Sequence, residues 1–209
     1  MDLYFFDFDK TLYAYDFHFR LPALSLVTGA SQYHLAKTWW AGGYEVRAEG
    51  GEWPTSEAYL TEFERVTGSS LTLENWQEAR ALASTVIPAS VEALHRASTL
   101  GTVSLLSNNP SPFAESLPLL APDVTAIVGE NRLVSCQLGV RKPDARVFEL
   151  ALAHYGARAE ETFFVDDSVG NVEGASALGI HAHQLTYVNG VPQTDALDEA
   201  ITRFAGRDA

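Results

Sequence analysis

Five short strand-like runs, separated by segments of helical period, frame the chain. Residues 2–7 read as a buried strand rich in Tyr and Phe, and 12–16 as a turn or flap leading away from it. Beyond residue 88, helix and strand alternate. A helix at 88–100 stops at Gly101, a strand follows at 102–106, and a helix at 110–120. The next strand is expected at 132–136, while 121–131 carries no clear pattern. Residues 144–155 place Val147, Phe148, Ala151, Leu152 and Tyr155 on one helical face, closed by Gly156. A strand at 162–165, a helix at 168–178, a strand at 182–185 and a helix at 195–204 complete the series. Such alternation predicts an α/β, Rossmann-like three-layer core with a parallel sheet between helices.

Residues 17–86 follow a different pattern. Ser31, Thr55 and Thr72 are placed to cap helices, and Gly42-Gly43 and Gly68 to stop them. Tyr59, Phe63 and Val66 share one helical face; Leu73, Trp76, Arg80 and Ala83 share another. With no strand expected there, 17–86 reads as an all-helical domain inserted after the first strand, and 1–16 with 87–209 as the α/β core.

Composition narrows the range of partners. The chain has 209 residues, 46% of them hydrophobic, and a formal net charge of −13. Nucleic-acid binding is not expected, because phosphate backbones need a basic surface. Its one cysteine, Cys136, rules out an internal disulfide framework and suits a reducing compartment. No basic leader opens the chain, and no run reaches the ~20 apolar residues of a membrane span. The expectation is a cytoplasmic protein without membrane contact; the pattern gives no oligomeric state.

The candidate chemistry lies at strand ends. Asp7 and Asp9 are two residues apart where the first strand gives way to a Thr11-containing turn, so their side chains start on the same side. Ser107-Asn108 follows the second strand and Asp166-Asp167 the fourth, with Lys142 between them in sequence. Ligands of parallel sheets bind beyond the carboxyl ends of the strands. Carboxylates gathered there with a hydroxyl/amide pair and a lysine suit Mg2+, an oxygen-seeking cation, and a phosphoryl group.

Four segments carry a resemblance. Asp7-Phe8-Asp9-Lys10-Thr11-Leu12, Leu106-Ser107-Asn108-Asn109, Gly139-Val140-Arg141-Lys142-Pro143-Asp144 and Val165-Asp166-Asp167-Ser168-Val169-Gly170-Asn171 resemble, in this order, the motifs of the haloacid dehalogenase superfamily. The likeness is to its Mg2+-dependent phosphatase branch with a helical cap. It implies Asp7 as the nucleophile forming an aspartyl phosphate, and Asp9 as general acid and base. It also implies Lys142 bridging phosphate and Asp7, with Ser107 and Asn108 holding phosphoryl oxygens. The metal would lie among Asp7, the main-chain carbonyl of Asp9, Asp166 and Asp167, supported by Thr11 and Asn171. The expected substrate is a small phosphorylated metabolite, a sugar phosphate or nucleoside monophosphate. A phosphomutase shares these motifs. A 2-haloacid dehalogenase would need no metal and would lack the second acid, and a non-catalytic binding module would be expected to have lost a motif. In such a cap, His18, His34, Lys37 and Arg47 are candidate substrate contacts, and some of its aromatic residues would line the cavity. Arg141 is expected to point away from the site.

Overall fold

A computed structural model describes residues 2–207. Among the described residues, the central sheet has five parallel strands in the order β5-β4-β1-β6-β7: β1 (Leu3–Phe6), β4 (Thr102–Ser107), β5 (Arg132–Val134), β6 (Thr162–Asp166) and β7 (His181–Gln184). β1 lies at the centre, paired with β4 and β6, and all four of its side chains are buried. A strand covered on both faces has no use for a polar face, which explains its continuous apolar run.

Successive residues of β1 serve opposite layers. Tyr4 and Phe6 join Val103, Leu105, Phe163 and Val165 on one face. That face is covered by α6 (Pro88–Ser98), α7 (Ser111–Leu120), α8 (Pro122–Val128) and α12 (Thr194–Ala205). Leu3 and Phe5 join Leu106 and Phe164 on the other, under α10 (Ala145–Tyr155) and α11 (Val169–Ser176). Alternation along the strands thus produces the three layers.

The segment between β1 and α6 forms a mainly helical block: α1 (Phe17–Thr28), α2 (Gln32–Leu35) running into a wide turn at Ala36–Trp40, α3 (Tyr44–Glu49), α4 (Ser56–Thr67) and α5 (Leu73–Leu82). Ser31, Thr55 and Thr72 each accept a backbone N–H at a helix start, from His34, Ala58 and Asn75. Trp39, Tyr59, Phe63 and Trp76 are buried at its centre. The block rests on α7: Ser111 Oγ donates to the Trp53 carbonyl (3.0 Å) and Gln77 Nε2 to Ser116 Oγ (2.8 Å).

Two local expectations need correction, and one hairpin was not expected. The block is not strand-free. β3 (Ser84–Val86) pairs antiparallel with β2 (Tyr13–Tyr15), so the chain leaves the core and returns to it through one two-stranded ribbon. A three-residue strand with two hydroxyl side chains has no apolar alternation to reveal it. The strand expected at 132–136 ends at Val134, and α9 (Ser135–Leu138) begins at once. The Ser135 hydroxyl takes the Asn109 N–H (3.1 Å), and Gly139 closes the turn with φ 70°. Finally, β8 (Tyr187–Val188) and β9 (Val191–Pro192) form a hairpin on Asn189-Gly190, both at positive φ. Asn-Gly is a strong hairpin signal. The patternless 121–131 stretch holds α8.

Candidate active site

At the carboxyl ends of β1, β4 and β6 lies a pocket of about 430 Å³ lined by Asp7, Asp9, Ser107, Asn108, Lys142, Asp167 and Asn171 among others. Asp166 sits directly beneath, with none of its surface exposed. Each strand stops where its apolar run stops, so their polar successors meet across adjacent strands.

Lys142 is the hub. Its buried ammonium donates to Asp7 Oδ1 (2.7 Å), Asp166 Oδ2 (2.6 Å) and the Leu106 carbonyl (2.6 Å). Asn108 holds the lysine's backbone from both sides. Its Nδ2 donates to the Lys142 carbonyl and its Oδ1 accepts the Lys142 N–H, each at 2.9 Å. The Asn108 amide thus positions Lys142, and beside it the buried Ser107 hydroxyl accepts from Asn109 Nδ2 (3.1 Å) and keeps its own proton to donate. Asp166 accepts from Lys142, from Asn171 Nδ2 (2.9 and 3.0 Å) and from the Ser168 N–H (2.8 Å). Asp167 is half-buried, and its carboxylate takes no side-chain hydrogen bond among the described residues. Thr11 is fully buried beneath the turn, its hydroxyl without a partner among the described residues.

Asp7, Asp166 and Asp167 each offer an oxygen, and these atoms lie within 4.8 Å of one another. One ammonium does not balance three crowded carboxylates. Burial pushes the Asp7 carboxyl up to about 8, against the pull of Lys142 and with added repulsion from Asp166 and Asp9. Burial and Asp166 likewise raise Asp167. A divalent cation with a preference for oxygen relieves this repulsion, and the donor set fits Mg2+ better than a metal that favours sulfur or imidazole.

The carboxylate of Asp9 faces the other way. It pairs with the Arg80 guanidinium of α5 and accepts from Asn109 Nδ2 (3.0 Å). Immediately after Asp9 the chain turns on Lys10, a non-glycine residue at φ 58°. The sequence places Arg80 on a helical face with Leu73, Trp76 and Ala83 and Asn109 at the end of the second motif, but gives neither of them a role at the site. Arg141 corrects an expectation: it lines the pocket, with Nε 2.8 Å from Glu49 Oε2 of α3. The suggested cap contacts lie elsewhere. His18 pairs with Asp16, His34 Nε2 is 2.8 Å from the Thr67 carbonyl, Lys37 sits over Tyr33, and Arg47 pairs with Glu52. Cys136 is buried, and burial pushes its thiol up to about 12.

Carboxylates gathered at the strand ends of a parallel α/β sheet, beneath a helical block, define a hydrolase-type site. Residues 1–179 match the family described as haloacid dehalogenase-like hydrolase, and the chain belongs to that family. Over 87 residues, 41% of the chain, it is 37% identical to acyl-CoA dehydrogenase family member 10 of Mus musculus; that match spans 8% of the mouse protein. Its fold is similar to that of a HAD-like family hydrolase from Porphyromonas gingivalis, with a TM-score of 0.77 and 22% identity over 99% of this chain and 98% of that one. It is also similar to a HAD family enzyme from Bacteroides thetaiotaomicron solved in complex with magnesium and inorganic phosphate. There the TM-score is 0.75, with 18% identity over 88% of this chain and 93% of that one. A HAD phosphatase from Thermococcus onnurineus gives a TM-score of 0.62 with 19% identity, over 91% of this chain and 88% of that one. Among the described residues, no helix is long and apolar enough to cross a membrane.

Proposed function

We propose that this hydrolase is an Mg2+-dependent phosphatase of a small phosphorylated metabolite, working through a phosphorylated Asp7. The observation that carries this reading is the convergence of Asp7, Asp166 and Asp167 oxygens around the Lys142 ammonium at the tips of adjacent strands.

Asp7 is the nucleophile. Its carboxylate oxygen forms a bond to phosphorus as the bond from phosphorus to the ester oxygen breaks, and the departing alkoxide takes a proton from Asp9. In the second half, Asp9 removes a proton from water. That oxygen attacks phosphorus, and Asp7 leaves as a carboxylate with inorganic phosphate as product. Lys142 stays beside Asp7 throughout and stabilises charge on the phosphoryl oxygens. The Ser107 hydroxyl is the second phosphoryl contact. When bound, Mg2+ would neutralise the carboxylate cluster and polarise the phosphoryl group. Asp167, whose carboxylate takes no side-chain hydrogen bond among the described residues, would hold the metal together with Asp7 and the Asp9 carbonyl. Asp166, already engaged on both oxygens, holds Lys142 and Asn171 in place. In the geometry described, Asp9 is drawn toward Arg80, so proton transfer requires it to turn toward the ester oxygen.

Residues 17–86 act as a cap. They cover the pocket from the side opposite the sheet and limit the substrate to small molecules. The test is hydrolysis of p-nitrophenyl phosphate. Turnover should need Mg2+, stop on chelation, and fall at least ~10³-fold in Asp7→Asn. Metal-free turnover, or full activity in Asp7→Asn, would refute this function.

A further inference from the structure

Next to the catalytic pocket, beneath the helical block, is a second cavity of about 250 Å³. Asp9, Tyr15, Glu49 and Asn108 line both, so a molecule whose phosphoryl group lay over Asp7 would reach the second cavity with its remainder.

Arg20 projects from α1 into this chamber. It is 3% exposed, yet Nε and Nη2, which together form one edge of the guanidinium fork, have no hydrogen-bond partner among the described residues. Nη1 donates to the Tyr15 hydroxyl at 3.2 Å, and the guanidinium lies 4.9 Å from the centre of the Trp76 ring. An unsatisfied buried guanidinium edge is costly, and here it faces a cavity. Opposite it stands Glu45. Its Oε2 accepts from Tyr59 (2.7 Å) and Trp39, while Oε1 lies 4.0 Å from Arg20 Nη2, beyond hydrogen-bond distance. Glu49 presents a second carboxylate, paired with Arg141 without hydrogen-bond geometry. On α5, Arg80 pairs with Asp9 through one Nη and leaves Nε unpartnered. The remaining walls are the rings of Tyr15, Phe17 and Trp40.

We infer that this chamber is a subsite for an uncharged polyhydroxyl leaving group, a sugar or polyol, recognised by the open edge of Arg20 together with Glu45 and Glu49. This deepens the phosphatase reading above and rests on it. Three observations support it. A vacant donor and a vacant acceptor 4.0 Å apart need a bridge that accepts from one and donates to the other, which a hydroxyl does and a carboxylate or phosphate does not. Two adjacent hydroxyls can each accept from one of the two N–H groups on a guanidinium edge. The charge balance leaves no excess positive charge for a second anion: Asp9 stands against Arg80, Glu45 against Arg20 and Glu49 against Arg141. The aromatic walls suit the C–H faces of a sugar ring. Burial works against the charge on Arg20, but Tyr15, Glu45 and Tyr59 outweigh it and keep the guanidinium charged.

The test compares kcat/KM of the Mg2+-loaded full chain on sugar and polyol monophosphates, nucleoside monophosphates, phosphorylated carboxylates and p-nitrophenyl phosphate. The expected result is at least a ~10-fold preference for the sugar or polyol esters. Arg20→Met should reduce that preference several-fold, chiefly through KM, and Arg20→Lys should not restore it because the fork is lost. Glu49→Gln should weaken it in the same direction. Melting curves establish that each variant folds; if Arg20→Met does not, Glu49→Gln decides. Turnover of p-nitrophenyl phosphate without a sugar or polyol preference would overturn the subsite and leave the phosphatase standing. Preference for phosphorylated carboxylates or nucleotides, or a preference unchanged in the folded variants, would do the same. No Mg2+-dependent turnover of any ester would overturn both.

Discussion

The two walls of the site are finished to different degrees. On the sheet side, Lys142 makes three contacts, Asp166 is engaged on both oxygens, and Asn108 fixes the lysine's backbone. On the helical side, Arg20 and Arg80 keep vacant N–H groups, and Glu45 and Glu49 keep loosely paired oxygens. Buried polar groups are normally satisfied, so the contrast has functional content. The charged groups of the sheet wall are held in place, and a cation would relieve its carboxylates. The helical wall is completed by what it binds. Rigid strand ends suit the first task, and side chains on helices that rest on the core through a few hydrogen bonds suit the second.

The largest effect should come from breaking the finished wall. Lys142→Met leaves Asp7 and Asp166 buried without their counter-charge. Removing one partner of a buried ion pair costs about 3–5 kcal/mol, and activity should fall to background. Urea denaturation and p-nitrophenyl phosphate turnover measure the two losses. Saturating Mg2+ should recover part of the stability, because a cation at the cluster takes over some of the neutralisation, but none of the activity. If Lys142→Met were less damaging to turnover than Arg20→Met, the division between a catalytic wall and a selecting wall would fail.

The same contrast governs what the sequence discloses. Strands are short and their ends are marked by a switch from apolar to polar residues. Asp7, Ser107, Asn108, Asp166 and Asp167 could therefore be singled out at such switches and are found around one pocket. Lys142 and Asn171 follow from their place in the motifs. The helical wall offers no such mark. Arg20, Glu45 and Glu49 stand in no motif and Arg80 reads as part of an otherwise apolar helix face, and only the packing of α1, α3 and α5 over the strand tips brings them together. Arg141, next in sequence to Lys142, reads as pointing away from the site; its partner, Glu49, comes from the other wall. The β2–β3 ribbon was hidden for a related reason: strands of three residues acquire meaning only through each other.

A smaller effect tests how closely the two walls are apposed. Gly51, just after α3, has φ +84°, and a Cβ there would lie 2.6 Å from the Cys136 carbonyl oxygen and 3.1 Å from Gly139 Cα. Gly51→Ala therefore combines a left-handed backbone with contact against the core's main chain, and is expected to cost about 1–3 kcal/mol. The loop should lift from α9, and KM for the preferred substrate should rise several-fold while kcat changes less. Gly50→Ala is the control. Gly50 has φ −79°, and its added Cβ would meet only the Arg47 and Val46 carbonyls at 3.3 and 3.5 Å. Equal effects from the two substitutions would mean that the approach at Gly51 does not hold the walls together.

The smallest effect concerns pH. Burial raises the Glu49 carboxyl to about 7, helped by Glu45 and Asp9 and opposed by Arg141. An acid whose folded value lies above its unfolded one of 4.5 weakens the fold as it ionises. This penalty is absent below pH 4.5, grows as pH rises toward 7, and is complete above it. Glu49→Gln removes the titration, so its melting temperature should match that of the parent at pH 4 and exceed it at pH 8. The gain should be on the order of 1–3 kcal/mol, reduced by the lost pairing with Arg141. A sugar or polyol phosphate in the chamber should shrink the difference, because hydroxyls donating to the ionised Glu49 stabilise its charge. Melting curves across this pH range, with and without ligand, measure both effects. A Glu49→Gln curve parallel to that of the parent would show that Glu49 is already satisfied by Arg141, and that the helical wall is more complete than the vacant Arg20 edge implies.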